Sequence, residues 1–235
     1  MMMFKRLLSL GLLAAAALAL PACLPFLESN SKTKPAASGR PSESEQTKAQ
    51  TSLAKALMME GNYAQALPEL LEAKKTAPKN ADVENLIGLA HYGLKEYEEA
   101  IESFHKALQL NPGLTAAHNS LGLTYLALQN YDQALTEFNS CLKDQSYQNK
   151  HLPLSNIGLT YLETQSYDQA LTALTRAIEL KPDYDKTYQL IGRVYLAKNQ
   201  TKEAVDYLTK AAELNPQDGD TRQLLAEAQA RRSRL

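Results

Sequence analysis

Cysteine and histidine are the residue types in this 235-residue chain that could bind a metal or act as a nucleophile, and they are few. They occur as Cys23, Cys141, His91, His105, His118 and His151. None lies in a His-Glu-x-x-His or Cys-x-x-Cys motif, the spacings that bring zinc ligands together. The chain also lacks the Gly-x-Ser-x-Gly of serine hydrolases and a phosphate-binding glycine loop. We therefore expect no enzyme, no metal site and no bound cofactor.

Cys23 follows a segment with the three parts of a secretory signal peptide. Two basic residues near the start are followed by an apolar run from Leu7 to Leu20 and then by the small residue Ala22. The run has about 14 residues, fewer than the roughly 20 that span a bilayer as a helix. The pattern predicts a signal peptide over residues 1–22, and an uncleaved signal anchor is the alternative.

The residues Leu20-Pro21-Ala22-Cys23 resemble the lipobox of bacterial lipoproteins. In that family the cysteine thiol carries diacylglycerol, the peptide is cut before it, and the new amino group is acylated. The resemblance implies that Cys23 carries a covalent lipid, and several acyl chains on one residue anchor a protein stably. Leu24 stands where the family's inner-membrane retention signal would place Asp. The resemblance therefore implies an outer-membrane anchor with the protein facing the periplasm.

The stretch after this cysteine has the composition of a tether. Residues 23–46 are rich in Ser, Pro, Lys, Thr and Glu, so they bury too little apolar surface to offset the entropy lost on ordering. We expect a disordered tether with a reach of roughly 25–30 Å, followed by a folded domain over residues 47–235.

The charge and aromatic content exclude one class of partner. Lys and Arg number 25 against 26 Asp and Glu, Trp is absent and Phe occurs only 4 times. Nucleic-acid binding requires a basic surface and is often supported by aromatic stacking. We therefore expect no nucleic-acid partner.

Small residues recur with a fixed spacing through the folded domain. The glycines of the repeating pattern are separated by 34, 36 and 34 residues and are Gly88, Gly122, Gly158 and Gly192. An Ala follows each of them twelve residues later, and a Pro, replaced by Ser146 in one copy, stands twelve residues further on. A period of this length accommodates two helices and their turns, so the pattern predicts an array of helical repeats.

The motif Leu-Gly-x-x-Tyr, then Tyr-x-x-Ala, then Phe, Ala and Pro resembles the tetratricopeptide repeat from residue 47 to about 218, with its best copies at Asn119–Phe138 and Ser155–Leu174. The resemblance implies an all-α right-handed superhelix of five helix pairs and a C-terminal capping helix. The repeats are predicted at about 47–80, 81–114, 115–149, 151–184 and 185–218, and the capping helix at 219–234.

The repeat pattern also assigns structural roles to residues that might otherwise suggest chemistry. His91 stands where other repeats have Tyr, so we interpret it as a packed side chain. Cys141 stands where other repeats have Ala, which favours a small buried hydrophobe. Asp218-Gly219-Asp220 lacks the further oxygen ligands of a calcium loop and is interpreted as a turn and helix cap.

In the tetratricopeptide family the concave face is built from the first helix of each repeat, and the resemblance implies a partner-binding groove of twelve residues there. They are Asn85, Leu89 and Tyr92; Asn119, Leu123 and Leu126; Ser155, Leu159 and Leu162; and Gln189, Arg193 and Leu196. The Leu and Tyr side chains predict that the groove holds an apolar helix or strand of a protein partner by shape and burial. The alternative is that these side chains only pack neighbouring repeats together.

The irregular stretch after the third repeat, from Asp144 to Leu159, resembles the junction in type IV pilus biogenesis lipoproteins of the PilF/PilW and Tgl kind. Those proteins are pilotins, which help secretin subunits reach the outer membrane and assemble there. The resemblance implies a pilotin whose groove binds an outer-membrane secretin. The alternatives are a general outer-membrane scaffold for peptidoglycan enzymes and a component of the β-barrel assembly machine.

Overall fold

The computed structural model describes residues 43–233, and this part of the chain consists of helices joined by short turns, with no strand. The eleven helices are α1 (Glu43–Met59), α2 (Tyr63–Thr76), α3 (Ala81–Leu94), α4 (Tyr97–Leu110), α5 (Thr115–Ala127), α6 (Tyr131–Lys143), α7 (His151–Glu163), α8 (Tyr167–Leu180), α9 (Asp185–Ala197), α10 (Thr201–Leu214) and α11 (Gly219–Arg232). The signal peptide at 1–22, the lipidated Cys23 and the tether up to residue 42 were predicted in a region outside the described residues. None of the described helices has the length and apolarity to cross a bilayer.

The helices follow the predicted repeats, with one difference at the start. The odd-numbered helices α1 to α9 are the first helices of the five repeats, here called A helices, and the even-numbered helices are the second, or B helices. Helix α1 begins at Glu43, so residues 43–46, predicted as tether, are helical. The repeat pattern begins only at Thr47, but Glu and Gln are good helix formers and acidic residues are favoured in a first helical turn.

Close contact between the two helices of a repeat depends on the glycine at its eighth position. A Cβ atom added to Gly122 would lie 2.6 Å from the ring of Phe138, and one added to Gly88 would lie 2.5 Å from the ring of Phe104. Both distances are too short for a real contact. Both phenylalanines are fully buried. The absence of a side chain at the eighth position therefore lets a large apolar side chain of the B helix fill the space between the helices.

The turns within and between the helix pairs contain recurring residue types and backbone conformations. The turns between A and B helices contain a residue with positive φ, namely Lys95, Gln129, Gln165 and Asn199, with a glycine, Gly61, in the first repeat. Four B helices end two residues before a proline, which cannot continue a helix. In the third repeat Ser146 replaces that proline, and Asp144 instead accepts hydrogen bonds from the Ser146 amide (2.9 Å) and the Thr115 hydroxyl (2.6 Å). The longer junction is thus closed by side-chain hydrogen bonds.

The contacts between repeats determine which side of the array is concave. Successive A helices contact one another, whereas within residues 43–233 successive B helices do not. The A helices therefore lie on the inner, concave side of the superhelix. Helix α11 covers the last repeat, where Ala228 is buried with Leu208 of α10, and its outer side carries Arg222, Glu227 and Arg231. This is the predicted capping helix.

Candidate partner-binding groove

The concave side carries a line of partly exposed apolar side chains from the ninth and twelfth positions of the A helices. In the second, third and fourth repeats these are Leu89, Tyr92, Leu123, Leu126 and Leu159, here called the apolar strip. Each also packs against a buried core cluster of the repeats. The strip therefore packs against the core of the repeats and also presents surface on the concave side.

Two of the leucines predicted for the groove belong to the core instead. Leu162 and Leu196 are only 9% and 8% exposed and lie in core clusters of the fourth and fifth repeats. They occupy the same repeat position as Tyr92 and Leu126, so the repeat pattern alone could not separate them. The exposed part of the strip is limited to the second, third and fourth repeats.

The polar residues predicted for the groove, at the fifth position of each A helix, are buried where successive A helices meet. Asn119 accepts a hydrogen bond from the Asn156 amide at 3.1 Å, and this joins α5 to α7. The Ser155 hydroxyl donates to the His151 carbonyl oxygen at 2.8 Å and lies 2.9 Å from the Thr187 hydroxyl of α9. These side chains join repeats and are not offered to a partner.

The two remaining fifth-position residues occupy similar sites. Gln189 donates from its Nε2 to Asp218 at 3.0 Å and to Thr221 at 2.9 Å, which ties α9 to the capping helix. Asn85 is 7% exposed, and its Oδ1 has no hydrogen-bond partner among the described residues. The predicted polar half of the groove is thus part of the interface between repeats.

The C-terminal end of the concave side is charged. Arg193, which takes the ninth position in the fifth repeat, lies 3.2 Å from Glu163 of the fourth, and its side chain is 27% exposed. Lys186 lies 2.9 Å from Asp218 near the capping helix. The apolar strip is thus followed, toward the C-terminus, by charged side chains in two ion pairs.

One ion pair near the start of the array was not predicted from the sequence. Lys74 of α2 lies 2.6 Å from Glu84 of α3, whose side chain is only 5% exposed. Glu84 stands where other repeats have His118, Leu154 or Tyr188. No periodic signal links it to Lys74, because the two residues belong to different repeats and meet only through the packing of α2 on α3. The pair joins the first two repeats.

His91 and Cys141, two of the residues that could have suggested chemistry, are part of the packing of the repeats. Nδ1 of His91 lies 2.7 Å from Glu96 in the adjoining turn, as expected for a packed residue. Cys141 is fully buried, and burial raises the pKa of its thiol to about 12, so it is not a reactive thiolate at neutral pH. Within residues 43–233 no three His, Cys, Asp or Glu side chains are grouped to hold a metal ion.

His118 lies between two hydrogen-bond acceptors. Its Nδ1 lies 2.6 Å from Glu137 and its Nε2 lies 3.3 Å from the Pro112 carbonyl oxygen. Only the protonated ring can donate to both acceptors at once, so this arrangement favours the protonated form. The hydrogen bond to Glu137, with the nearby negative charge, raises the pKa of His118 despite partial burial.

This arrangement predicts a pH-dependent contribution to stability. Because the pKa of His118 is higher in the folded chain, its stabilisation is complete below the unfolded value of about 6.5 and is lost as pH rises through the folded value. We expect the wild-type chain to lose on the order of 1 kcal/mol of unfolding free energy from this pair between pH 6 and pH 8. His118→Gln should lack this loss in urea unfolding followed by circular dichroism. Burial lowers the pKa of His151, so this residue makes stability rise with pH, and it does so equally in wild type and His118→Gln. The difference between the two proteins therefore reports His118. Equal pH profiles of their unfolding free energies would contradict a stabilising role of the His118–Glu137 pair.

Comparison with known families and structures agrees with this architecture. A tetratricopeptide-repeat family model matches residues 81–114, and a second one matches residues 113–183. A model described as regulator of microtubule dynamics protein 1-3 matches residues 157–235. No curated protein matches the sequence. No catalytic family is among these matches.

Several solved structures have the same fold. PilW, described as a widely conserved type IV pilus biogenesis factor, is 23% identical with a TM-score of 0.72, over 79% of this chain and 86% of that one. PilF of Pseudomonas aeruginosa is 20% identical with a TM-score of 0.70, over 81% and 87% of the two chains. The tetratricopeptide-repeat protein TTC0263 of Thermus thermophilus is 22% identical with a TM-score of 0.69, over 78% and 99%.

Identities of this size show a shared fold. The matched repeat models, the helix pairs and the structural neighbours agree on one architecture. Proteins of this fold generally act as non-enzymatic scaffolds that bind other proteins. The described part of the chain therefore has the tetratricopeptide-repeat fold, with five repeats wound into a superhelix and closed by a capping helix.

Proposed function

We propose that this chain is a pilotin, an outer-membrane lipoprotein that binds secretin subunits and promotes their assembly for type IV pilus biogenesis. The observation that carries the proposal is the apolar strip on the concave side of the second, third and fourth repeats. The chain shares its fold with PilW, which is described as a type IV pilus biogenesis factor, and with PilF. This likeness supports the proposal.

The strip suits a ligand that is recognised by burial. Leu89, Leu123 and Leu159 take the same position in three successive A helices and are each partly exposed. An amphipathic helix or an extended segment lying across them would cover all three, and full burial of one large apolar side chain contributes about 1.5–3 kcal/mol. With a net charge of −1, the chain offers little long-range attraction. Recognition would therefore depend on the apolar contact itself.

The lipid on Cys23 supplies the second part of the proposed function. A covalent anchor would hold the groove next to the outer membrane. Secretin subunits assemble at the same membrane, so anchoring raises the effective concentration of groove and ligand. The chain would act by capture and local concentration, without catalysis.

The direct test is to measure secretin multimers and surface pili in cells from which this gene has been deleted. We expect loss of detergent-resistant secretin multimers and of surface pili, both restored by the wild-type gene. Unchanged multimers would overturn the proposal. If the purified chain instead captured peptidoglycan hydrolases or synthases and no secretin, the scaffold function would replace it. A lethal deletion that depletes all outer-membrane barrels would indicate the β-barrel assembly machine.

The anchor is tested separately with Cys23→Ser. Without the thiol no diacylglycerol can be attached, so we expect the variant to leave the outer-membrane fraction and most secretin multimers to be lost. Membrane fractionation followed by immunoblotting measures the first effect. Cys141→Ser is the matched control, because that buried thiol should not affect localisation. Retention of the Cys23→Ser variant in the outer membrane would show that lipid on this residue is not the anchor.

A further inference from the structure

The two ends of the array differ in whether the outer face of the terminal A helix is covered by another helix. In the second to fifth repeats the third, seventh and tenth positions of the A helix are buried, and each of these A helices packs on the B helix of the preceding repeat. In the second repeat these residues are Val83, Ile87 and Ala90, which are 1%, 3% and 0% exposed. In the fifth they are Thr187, Ile191 and Val194, at 0%, 1% and 0%. The third and fourth repeats have the same burial.

The first repeat keeps these residue types without a covering helix. Its third, seventh and tenth positions are Ala49, Leu53 and Ala56, and all three are exposed, Leu53 to 49%. They lie on one side of α1, since their spacing of four and three residues matches the helical period. We call these three residues the end face. It has the composition of an interface between repeats and is open among the described residues.

The molecule itself shows what kind of element covers such a face. At the opposite end, α10 packs on α11, whose third, seventh and tenth positions are Thr221, Leu225 and Ala228. The last two are the same residue types as Leu53 and Ala56. Val205 and Leu208 of α10 lie in one core cluster with Ala228, and Leu225 packs against it. The element that fits is an amphipathic helix of about four turns with branched apolar residues on one side.

The sequence before α1 is a poor match for such a helix. Prolines at positions 25, 35 and 41 leave at most nine consecutive residues without proline after Cys23, whereas α10 has 14 residues. The run from Leu7 to Leu20 is long enough, but it is apolar on every side. It therefore lacks the polar outer surface that a covering helix presents to water.

A second copy of the chain is also a poor match. Its opposite end is closed by α11, whose exposed side carries Arg222, Glu227 and Arg231, so end-to-end stacking would place charges on the apolar face. Two end faces meeting directly would bury one leucine and two alanines from each copy. Each face would then offer the other a single branched apolar side chain, whereas α10 offers α11 two, Val205 and Leu208.

We propose that the end face docks an amphipathic helix of another protein, which takes the place of the B helix that precedes every other A helix in the array. The helix would place branched apolar side chains against Leu53 between the two alanines, as α10 does on α11. This contact lies at the end of the superhelix, so it leaves the apolar strip free and does not depend on the pilotin function.

The proposal is tested with the helix that already fills the equivalent site. A fluorescein-labelled peptide of residues 201–216, stapled on its polar side because a free helix of this length is marginal, is titrated into the detergent-purified full chain. Fluorescence anisotropy should show saturable binding that Leu53→Glu weakens at least tenfold. Leu71→Glu is the matched control, since Leu71 is 44% exposed on α2, outside the end face. The peptide with Val205→Glu should not bind.

Each other outcome identifies a different occupant or none. Absence of saturable binding, or binding that Leu53→Glu does not weaken, would overturn the proposal. Binding that appears only after deletion of residues 24–42 would assign the face to the chain's own segment. Dimerisation in sedimentation that Leu53→Glu abolishes would assign it to a second copy. The circular dichroism spectrum and melting temperature of Leu53→Glu should match wild type, because this side chain is already half exposed.

Discussion

Replacing Phe138 with Ala is expected to lower the free energy of unfolding by about 3–5 kcal/mol. The phenylalanine is fully buried, and its ring fills the space left by Gly122. The same core cluster contains Phe104 of the second repeat and Ile157 of the fourth. Removing the ring leaves a cavity at the centre of the array, where neighbouring repeats stabilise one another.

Urea unfolding followed by circular dichroism at 222 nm measures this loss. Leu180→Ala is the matched control, because Leu180 is 56% exposed on α8 and its truncation should change the unfolding free energy by less than about 0.5 kcal/mol. Phe138→Leu should recover much of the stability, since Leu174 and Leu208 take the same position in the fourth and fifth repeats. A loss for Phe138→Ala no larger than that of Leu180→Ala would show that the repeats do not share a cooperative core.

The repeat period predicts the helices of this chain because each repeat is constrained by the same local packing. A small residue such as Gly122 and a large one such as Phe138 sixteen residues later specify one helix pair wherever they recur. The proline after a B helix ends it in the same way each time. Cys141 could be placed in the core for the same reason, as it takes a position that other repeats fill with Ala.

The groove was harder to predict because its surface depends on how repeats are rotated relative to each other. Leu126 and Leu162 share a repeat position, yet the first is partly exposed and the second is buried. Asn119 was predicted to face a partner and instead accepts a hydrogen bond from Asn156 of the next repeat. Contacts of this kind join residues 37 positions apart. A repeat pattern gives the position of each residue within its own repeat and carries no signal for such contacts.

The repeat pattern does not predict the exposure of side chains at the ends of the array or where the first helix begins. Leu53 matches Ile87 and Ile191 in the pattern, but it is exposed because no helix among the described residues precedes α1. The start of α1 at Glu43 likewise reflects helix propensity beyond the repeat. Residues at the ends keep the residue types of the interior with different neighbours, so their exposure follows from the length of the array.

Replacing Leu123 with Glu is expected to weaken secretin binding by about a hundredfold if the apolar strip is the binding surface. Leu123 lies in the middle of the strip, between Leu89 and Leu159. A ligand that covers this position would desolvate the new carboxylate without a cationic partner, and a cost of about 3 kcal/mol corresponds to that change in affinity. The dissociation constant of purified secretin for the full chain measures the effect directly, and the yield of detergent-resistant multimers reports it in cells.

Three further variants separate the strip from other causes. Leu123→Met keeps the volume and apolar character of the side chain, so it should bind secretin like wild type. Leu180→Glu adds the same charge at a site that is 56% exposed outside the strip and should also leave binding unchanged. Leu53→Glu alters only the end face, so its secretin affinity should remain that of wild type even where helix docking is lost.

Because the charge changes at positions 53, 123 and 180 are identical, only the location of the carboxylate differs among these proteins. A selective loss for Leu123→Glu would therefore place the secretin contact on the concave side of the central repeats, whereas equal affinities would remove the strip from the proposed function.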